Sequence, residues 1–223
     1  MNTQPYDYEV LDLGLVYYKN ALENPQLIID SVESLDERIS ESVLDKTIAR
    51  KWTPWINESS LNKETFCMQK FIPQANHINK KDFFYDEVFD ISTKLFGALD
   101  NALEHYSTEL YPFAKKNIKS REDSMHLLRY EESGYLPQHQ DQGVSTRVLS
   151  VLLYLNDDYE GGNIMFRHSG VSIKPVAGSL IFFPSNFLYV HEVAPVTGGR
   201  RYSLPNWYHN IERNKINNST GEE

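Results

Sequence analysis

The segment RVLSVLLYLN, residues 147–156, decides the fold because its side chains alternate with the period of a β-strand. On such a strand Leu149 and Val151 face one side, and Leu152 and Tyr154 face the other, since successive side chains point to opposite faces. A strand that is apolar on both faces needs a covering layer over each of them. The segment therefore predicts a central strand in a layered β structure.

Similar short segments surround this strand, and turn-forming pairs such as Ser-Gly, Gly-Gly and Ala-Gly separate them. Together the segments are SMHLLRY, YLPQHQ, RVLSVLLYLN, NIMFRH, VSIKPV, SLIFFP, LYVHEV and RRYSLPNWY, all between residues 124 and 208. About eight short strands in so few residues are typical of a sandwich or jelly roll. We therefore predict a mainly β fold with a double-stranded β-helix (jelly-roll, cupin-like) core over residues 124–209.

The segment before this core, residues 1–123, shows the period of amphipathic helices instead. Asn24 and Pro25 form a helix start, and the apolar residues behind them recur every three or four positions. A second helix keeps the same step from about residue 82 until Pro112 stops it. These helices are available to cover one face of the sheet, so we expect a helical flank packed outside the core.

We expect one domain over residues 1–223, with residues 210–223 as a polar tail. Between the two helices, residues 52–81 carry Trp52, Trp55 and many polar side chains. We interpret this segment as connecting loops with a short strand, placed where they cover a site.

The chain is acidic, since 22 lysines and arginines stand against 31 aspartates and glutamates, for a formal net charge of −9. Such a surface repels phosphate backbones and anionic lipids, so nucleic acid and membranes are disfavoured as partners. No apolar run approaches the roughly 18–20 residues of a membrane-spanning helix. The first residues lack a signal-peptide pattern and Cys67 is the single cysteine, so we expect a reducing, cytoplasmic location.

Candidate metal ligands lie in YLPQHQDQ, residues 135–142. His139 and Asp141 are two positions apart, so on an extended strand both side chains leave the same face. His191, in the later segment LYVHEV, offers a third ligand across the turns of a jelly roll. Two histidines and one carboxylate on one octahedral face leave positions open, as in non-haem Fe(II) oxygenases. The three residues together predict an iron site.

Arg201 is the candidate anion-binding residue. By period two it shares a face of its strand with Ser203 and Trp207, whereas Arg200 points to the opposite face, where solvent is expected. An inward guanidinium is costly to bury without an anion. Beside a hydroxyl, it can hold a carboxylate through charge-assisted hydrogen bonds. We therefore expect an acidic cosubstrate.

Three segments together resemble the Fe(II)- and 2-oxoglutarate-dependent dioxygenases of the prolyl 4-hydroxylase type: HQD at 139–141, YLNDDYEGGNIMF at 154–166 and HEVAPVTGGRRYS at 191–203. The resemblance covers about residues 124–209. It implies Fe(II) as the metal, 2-oxoglutarate as cosubstrate together with O2, and ascorbate as reductant.

The same resemblance assigns residues to the cosubstrate. Arg201, supported by Ser203, would bind the distal carboxylate of 2-oxoglutarate. Tyr154 resembles the family tyrosine whose hydroxyl reaches that carboxylate. Tyr130 resembles an active-site tyrosine near the metal-bound end of the cosubstrate.

Trp207 bears on the substrate. It follows Arg201 by six residues, as an aromatic residue does in the oxygen-sensing prolyl hydroxylases, where it lines the substrate pocket; we expect Tyr135 to line the same pocket. Many prolyl 4-hydroxylases have lysine in place of Arg201, so the arginine is more similar to the oxygen-sensing and bacterial branches. The nucleic-acid demethylases of the superfamily have a second arginine at the position of Trp207, which disfavours nucleic acid as substrate.

The resemblance implies hydroxylation of a prolyl residue in a protein or peptide, with residues 52–81 and 142–147 shaping an open groove. One alternative is the same chemistry on a free amino acid or other small molecule, which would favour a closed pocket. A second alternative is a non-catalytic jelly-roll protein that binds metal or ligand. The sequence leaves the substrate, the hydroxylated carbon and the oligomeric state open.

Overall fold

The computed structural model describes the predicted core, except for residue 144, and parts of the flank. The described residues are 6–41, 52–54, 63–67, 85–143 and 145–212. Trp55, much of the predicted covering loop and the tail from residue 213 lie outside them, so the predictions made for those residues stay predictions.

The helices of the described residues are α1 (Pro25–Glu41), α2 (Tyr85–His105) and α3 (Pro112–Asn117). α1 begins at Pro25, as predicted, and Asn24 before it has a φ of 49°. α2 continues into a π-helical turn, Tyr106–Leu110. Pro112, expected only to stop that helix, also begins α3, because its fixed φ suits a first helical turn. Within the described ranges, no helix is both long and apolar enough to span a bilayer.

The strands of the described residues are numbered along the chain. They are β1 (Tyr8–Asp12), β2 (Leu15–Tyr18), β3 (Thr53–Pro54), β4 (Lys63–Cys67), β5 (Ser120–Arg121), β6 (His126–Tyr130), β7 (Leu136–His139), β8 (Arg147–Tyr154), β9 (Glu160–Gly161), β10 (Ile164–Phe166), β11 (Val171–Ile173), β12 (Leu180–Pro184), β13 (His191–Val193), β14 (Val196–Gly198) and β15 (Arg201–His209). Each of the segments predicted between residues 124 and 208 contains a strand.

The flank corrects one expectation, since two strands that were not predicted, β1 and β2, precede α1. β1 and β2 form an antiparallel hairpin, and β2 joins the core sheet beside β12. Gly14, with a φ of 80°, lies at the turn between them, a conformation that glycine adopts readily. β1 and β2 are short, with five and four residues. The helical periodicity of the longer α1 and α2 therefore dominates the apolar pattern of residues 1–123.

Two antiparallel sheets form the jelly-roll core. The larger sheet has the order β1-β2-β12-β8-β15-β6-β4-β3, with β5 beside β15, and the smaller sheet has the order β11-β10-β13-β7. β8, the strand predicted to be central, pairs with β12 on one side and β15 on the other. The fold is therefore mainly β with flanking helices, as predicted.

Helices α1 and α2 cover one face of the larger sheet. Leu149, Val151 and Leu153 of β8 belong to a buried cluster that includes residues of both helices. The helix residues of this cluster are Ile28, Ile29, Val32, Leu35, Val88, Ile91, Leu95, Leu99 and Ala102. On the opposite face of β8, Leu152 and Tyr154 pack in a second cluster with residues of β2, β10 and β12. The predicted helical layer is confirmed.

One carboxylate ties α1 to the strand that carries Arg201. Glu33 Oε1 and Oε2 lie 3.1 and 3.2 Å from Arg129 Nη1, and Tyr202 Oη donates to Glu33 Oε1 at 2.8 Å. Burial and this hydrogen bond raise the pKa of Tyr202 to about 12, so the phenol keeps its proton. Because Tyr202 faces the helical layer, strand alternation turns Arg201 towards the other side of the sheet.

We expect Leu153→Ala to destabilise the protein by about 2–5 kcal/mol, because it leaves a cavity between sheet and helices. Leu153 is 0% exposed, whereas Leu27 on α1 is 59% exposed. Leu27→Ala is the matched control and should change stability by no more than about 0.5 kcal/mol. Urea unfolding followed by circular dichroism measures both. Equal losses for the two variants would contradict this assignment of the core.

Candidate active site

Strand register brings the two predicted histidine ligands together. In the antiparallel pair β7–β13, His139 and His191 are direct partners. Asp141 follows β7; its Oδ1 lies 3.5 Å from His139 Nε2, and its Oδ2 lies 3.9 Å from His191 Nε2. One ligand atom from each of the three side chains lies within 4.8 Å of the others. The three predicted metal ligands therefore converge.

Backbone carbonyls determine which nitrogen of each histidine is available. His139 Nδ1 is 2.9 Å from the carbonyl oxygen of Pro137, and His191 Nδ1 is 3.0 Å from that of Tyr189. A carbonyl oxygen only accepts, so Nδ1 carries the proton and donates in both rings. Nε2 of each ring, the atom nearer Asp141, then has a free lone pair, as a metal ligand requires.

Asp141 is held as an anion. Burial alone would raise the pKa of Asp141, but the proximity of His139 and of His191 outweighs it and lowers that pKa below its ordinary value. Burial lowers the pKa of His191 and favours the neutral imidazole. The ionised carboxylate of aspartate and the neutral form of an imidazole are the forms that bind a divalent cation.

This donor set fits ferrous iron. Two imidazole nitrogens and one carboxylate can bind the metal on one face and leave the remaining positions open to other ligands. The His139 side chain is 31% exposed, whereas those of Asp141 and His191 are 9% and 4% exposed. Asp141 and His191 are therefore buried, and His139 is the most exposed of the three.

Arg201 is a buried cation in the same region. It is 1% exposed, and its Nη1 donates to Ser203 Oγ at 3.1 Å. The Nε atom is buried and has no hydrogen-bond partner in the described part of the chain. Because a buried guanidinium without an anion is unfavourable, this environment fits a carboxylate supplied by a ligand.

Three buried tyrosines surround this guanidinium. Arg201 Cζ lies 4.7 Å from the ring centre of Tyr130 and 5.1 Å from that of Tyr154. Burial raises the pKa of Tyr130, Tyr154 and Tyr159, so all three keep their protons and can donate. Among the described residues, Tyr154 Oη and Tyr159 Oη have no hydrogen-bond partner. Tyr159 is a neighbour of Arg201 that was not predicted from the sequence.

A cavity of about 380 Å³ connects the metal-ligand cluster with Arg201. Its lining consists of Lys63, Ser124, His126, Leu128, Tyr130, Leu136, His139, Gln140, Asp141, Arg147, Leu152, His191, Val193, Arg201, Ser203, Pro205 and Trp207. Trp207 thus lies on the wall, where the sequence analysis expected a substrate-pocket residue. Tyr154 lies outside the lining but next to Arg201.

Two aromatic residues lie elsewhere than expected. Tyr135, predicted to line the substrate pocket, is 36% exposed and lies outside the cavity lining, although its neighbour Leu136 belongs to that lining. Successive side chains of an extended segment point to opposite faces, which accounts for the difference. Trp52, in the loop expected to cover the site, packs at 6.0 Å from the Tyr202 ring on the helical side.

Lys63, His126 and Arg147 also line the cavity and fall outside the predicted set. His126 shares its face of β6 with Leu128 and Tyr130, so period two was a signal that could have placed it. Lys63 is 2% exposed and is the direct partner of Tyr130 in the β4–β6 pair. Its position depends on a pairing between distant segments, which strand patterns do not specify.

We expect Gly162→Ala to disturb the arginine pocket. Gly162 has a φ of 64°, and a Cβ there would lie 2.9 Å from Tyr159 Cε2 and 3.0 Å from Arg201 Cδ. The variant should lose about 1–3 kcal/mol of stability and bind 2-oxoglutarate more weakly, as measured by thermal unfolding and calorimetry.

Gly170→Ala is the control for that substitution, because Gly170 has a similar φ of 68° with nothing within 4 Å of the added Cβ. It should show only the cost of a left-handed backbone, about 1–2 kcal/mol, and wild-type affinity for 2-oxoglutarate. Equal ligand affinities for the two variants would mean that Gly162 does not shape the pocket.

The segment that builds this site is similar in sequence to a known protein family. Residues 125–209 match the family model of the 2OG-Fe(II) oxygenase superfamily. Over 67 residues the chain is 40% identical to prolyl 3-hydroxylase 2 of Homo sapiens, a match that covers 28% of this chain and 10% of that protein. The matched segment thus spans about a tenth of the length of this relative.

Solved structures show the same fold. A prolyl hydroxylase from Trichoplax adhaerens, in complex with a hypoxia inducible factor oxygen degradation domain peptide fragment, has a TM-score of 0.64 at 19% identity, over 94% of this chain and 88% of that one. A prolyl-4-hydroxylase from Pseudomonas putida has a TM-score of 0.58 at 20% identity, over 89% and 93% of the two chains. At these identities the likeness concerns the fold alone.

The family match extends from β6 to the end of β15. These are the strands that carry the converging histidines, the aspartate that follows β7 and the buried arginine. The segment that matches the family model of the 2OG-Fe(II) oxygenase superfamily is therefore the segment that builds the site.

Proposed function

We propose that this protein is an Fe(II)- and 2-oxoglutarate-dependent dioxygenase that hydroxylates a prolyl residue in a protein or peptide and releases succinate and carbon dioxide. The observation that carries the proposal is one cavity lined by both a His-Asp-His cluster and a buried arginine. In this proposal residues 124–209 are the catalytic core, and the flank supports it within a single domain.

The proposed roles follow from the protonation and burial of each group. His139, Asp141 and His191 hold the iron, which when bound supplies the activation of dioxygen coupled to oxidation of the cosubstrate. Arg201 binds the distal carboxylate of 2-oxoglutarate, since a buried guanidinium and an anion stabilise each other. Ser203 accepts a hydrogen bond from Arg201 and keeps the guanidinium oriented.

Two tyrosines complete the proposed cosubstrate site. Tyr154 donates to the distal carboxylate, because its hydroxyl is protonated, buried and beside Arg201. Tyr130 lines the cavity and is assigned to the metal-bound end of the cosubstrate. Leu128, Leu152 and Val193 add apolar surface to the same cavity and reduce its water content.

Several observations support a prolyl substrate. A prolyl 3-hydroxylase shares sequence with this chain, and a prolyl hydroxylase structure that contains a peptide shares its fold. Pro205 and Trp207 give the cavity an apolar wall beside the cation of Arg147. Such a wall suits a proline ring and the carbonyl groups next to it. Following the prolyl 4-hydroxylase resemblance, we propose C4 as the hydroxylated carbon and ascorbate as the external reductant.

The direct test incubates the protein with Fe(II), ascorbate, 2-oxoglutarate and a library of proline-containing peptides. Mass spectrometry should find peptides that gain one oxygen on proline, and succinate should form only when iron is added. Modification of other residues alone would overturn the prolyl assignment and leave the oxygenase assignment intact. Absence of iron-dependent succinate would overturn both.

We expect His139→Ala and Asp141→Ala to abolish iron-dependent succinate formation, because each removes one of three metal ligands. The matched controls are His168→Ala and Asp90→Ala, whose side chains are exposed in a turn and on α2. Both controls should turn over 2-oxoglutarate at the wild-type rate. Iron binding by equilibrium dialysis should fall in the two ligand variants and stay unchanged in the controls; wild-type iron affinity in either ligand variant would contradict the assignment.

We expect Arg201→Ala to weaken 2-oxoglutarate binding by about 3 kcal/mol or more, over 100-fold in Kd, since it removes one partner of a buried charge pair. Arg200→Ala is the control from the neighbouring position. Arg200 is 54% exposed in its side chain and pairs with Glu131 at 2.9 Å on the outer surface. Calorimetric titration gives both affinities, and normal affinity in the Arg201 variant would disprove its role.

A further inference from the structure

An arginine lies over the ring of the tryptophan in the cavity wall. Arg147, the first residue of β8, has its guanidinium carbon 3.8 Å from the ring centre of Trp207. Both residues line the cavity, and the Arg147 side chain is 29% exposed. A guanidinium held over an indole ring gains a cation–π attraction and can still donate N–H hydrogen bonds to a ligand.

A carboxylate outside the cavity lining contacts this arginine. Glu122 Oε2 lies 3.5 Å from Arg147 Nη2, and Glu122 Oε1 accepts a hydrogen bond from Ser124 Oγ at 3.2 Å. The backbone N–H of Glu122 donates to the carbonyl oxygen of Trp207 at 2.8 Å. Glu122 is thus fixed to the strand that carries the tryptophan and reaches the arginine with its side chain.

A buried histidine holds the same carboxylate from the other side. His209 Nε2 lies 3.1 Å from Glu122 Oε2, and His209 Nδ1 lies 2.8 Å from Thr146 Oγ1. The hydrogen bond with His209, which outweighs the effect of burial, lowers the pKa of Glu122 below its ordinary value. His209 is also the direct partner of Arg147 in the β8–β15 pair. Glu122 is therefore an ionised group with a fixed place behind the arginine.

We propose that Glu122 is a positioning residue for substrate: it holds the Arg147 guanidinium against Trp207, so that the cation is presented at the cavity wall to a carbonyl or carboxylate oxygen of the substrate. The inference rests on the proposed function for the identity of the substrate. The contact between Glu122 and Arg147 is independent of that function, which allows the two to be tested separately.

The first experiment measures the position of Arg147 directly. The Arg147 Nε–H resonance, identified by its loss in Arg147→Lys, should be shifted upfield by the indole ring in the wild-type protein. In Glu122→Gln it should move towards the position found in Trp207→Leu. Glu87→Gln is the matched control, because it removes a surface ion pair with Arg38 at 2.6 Å without touching the cavity. An unmoved resonance in Glu122→Gln would overturn the proposal.

The second experiment measures substrate binding with a proline-containing peptide from the library that gains oxygen. Glu122→Gln should raise the KM for this peptide about tenfold, the effect of weakening one charge-assisted hydrogen bond, while the Kd for 2-oxoglutarate stays at the wild-type value. A general loss of structure would change both constants. An unchanged peptide KM would overturn the proposed role in substrate binding.

A double-mutant cycle establishes whether Glu122 acts through Arg147. In the Arg147→Gln background, Glu122→Gln should have no further effect on the peptide KM, because the group it positions is gone. A second full tenfold increase would show that Glu122 acts by another route and would contradict the proposal. If Glu122→Gln folds poorly, Glu122→Asp retains the charge on a shorter side chain and should give the same direction of change in both experiments.

Failure of the proposed function and failure of this inference give different results. If the protein hydroxylates no peptide, the prolyl proposal fails, while the Arg147 resonance still reports whether Glu122 holds the guanidinium. If peptides are hydroxylated and Glu122→Gln has a wild-type KM, only the positioning role fails.

Discussion

The pairing of β7 with β13 is the constraint on which the site depends. Direct partners in an antiparallel pair present their side chains on the same face about 4.5–5.5 Å apart. The register that joins His139 to His191 therefore brings both imidazoles within reach of one ion. A slip by one residue would turn one ring to the other face. The register is secured on the far side of β13, where Phe166 of β10 is the partner of His191 and Phe183 packs 4.7 Å from its ring.

The second constraint is electrostatic. The cavity contains an ionised Asp141 within the metal-ligand cluster and a buried Arg201 among phenols. Among the described residues, Asp141 and Arg201 form no ion pair with each other. Each therefore favours a ligand of opposite charge: a cation at the metal-ligand cluster and an anion at the guanidinium. A small dicarboxylate that also contacts a metal meets both demands. Gly162 belongs to the same arrangement, because its missing side chain leaves the space in which the Arg201 stem lies.

Strand patterns were sufficient to predict much of the fold and the central residues of the site. Alternation along β8 correctly predicted a strand between two layers, and alternation along β15 separated the inward Arg201 from the exposed Arg200. Patterns within one segment do not specify which distant segments become neighbours. Lys63 and the Glu122 contact with Arg147 depend on such neighbours, and they were therefore not predicted. Tyr135 was expected in the substrate pocket, but strand alternation turns it away from the cavity.

The hairpin formed by β1 and β2 has a consequence for the behaviour of the whole chain. β2 pairs along β12, whose residues Leu180–Phe183 are fully buried at the side of the core sheet. Without β2, the unpaired N–H and C=O groups of an apolar strand would be exposed at the sheet edge and could pair with another molecule. The hairpin thus protects the edge of the jelly-roll core: it places the largely exposed strand β1 outermost and prevents the apolar sequence LIFF from pairing with other chains.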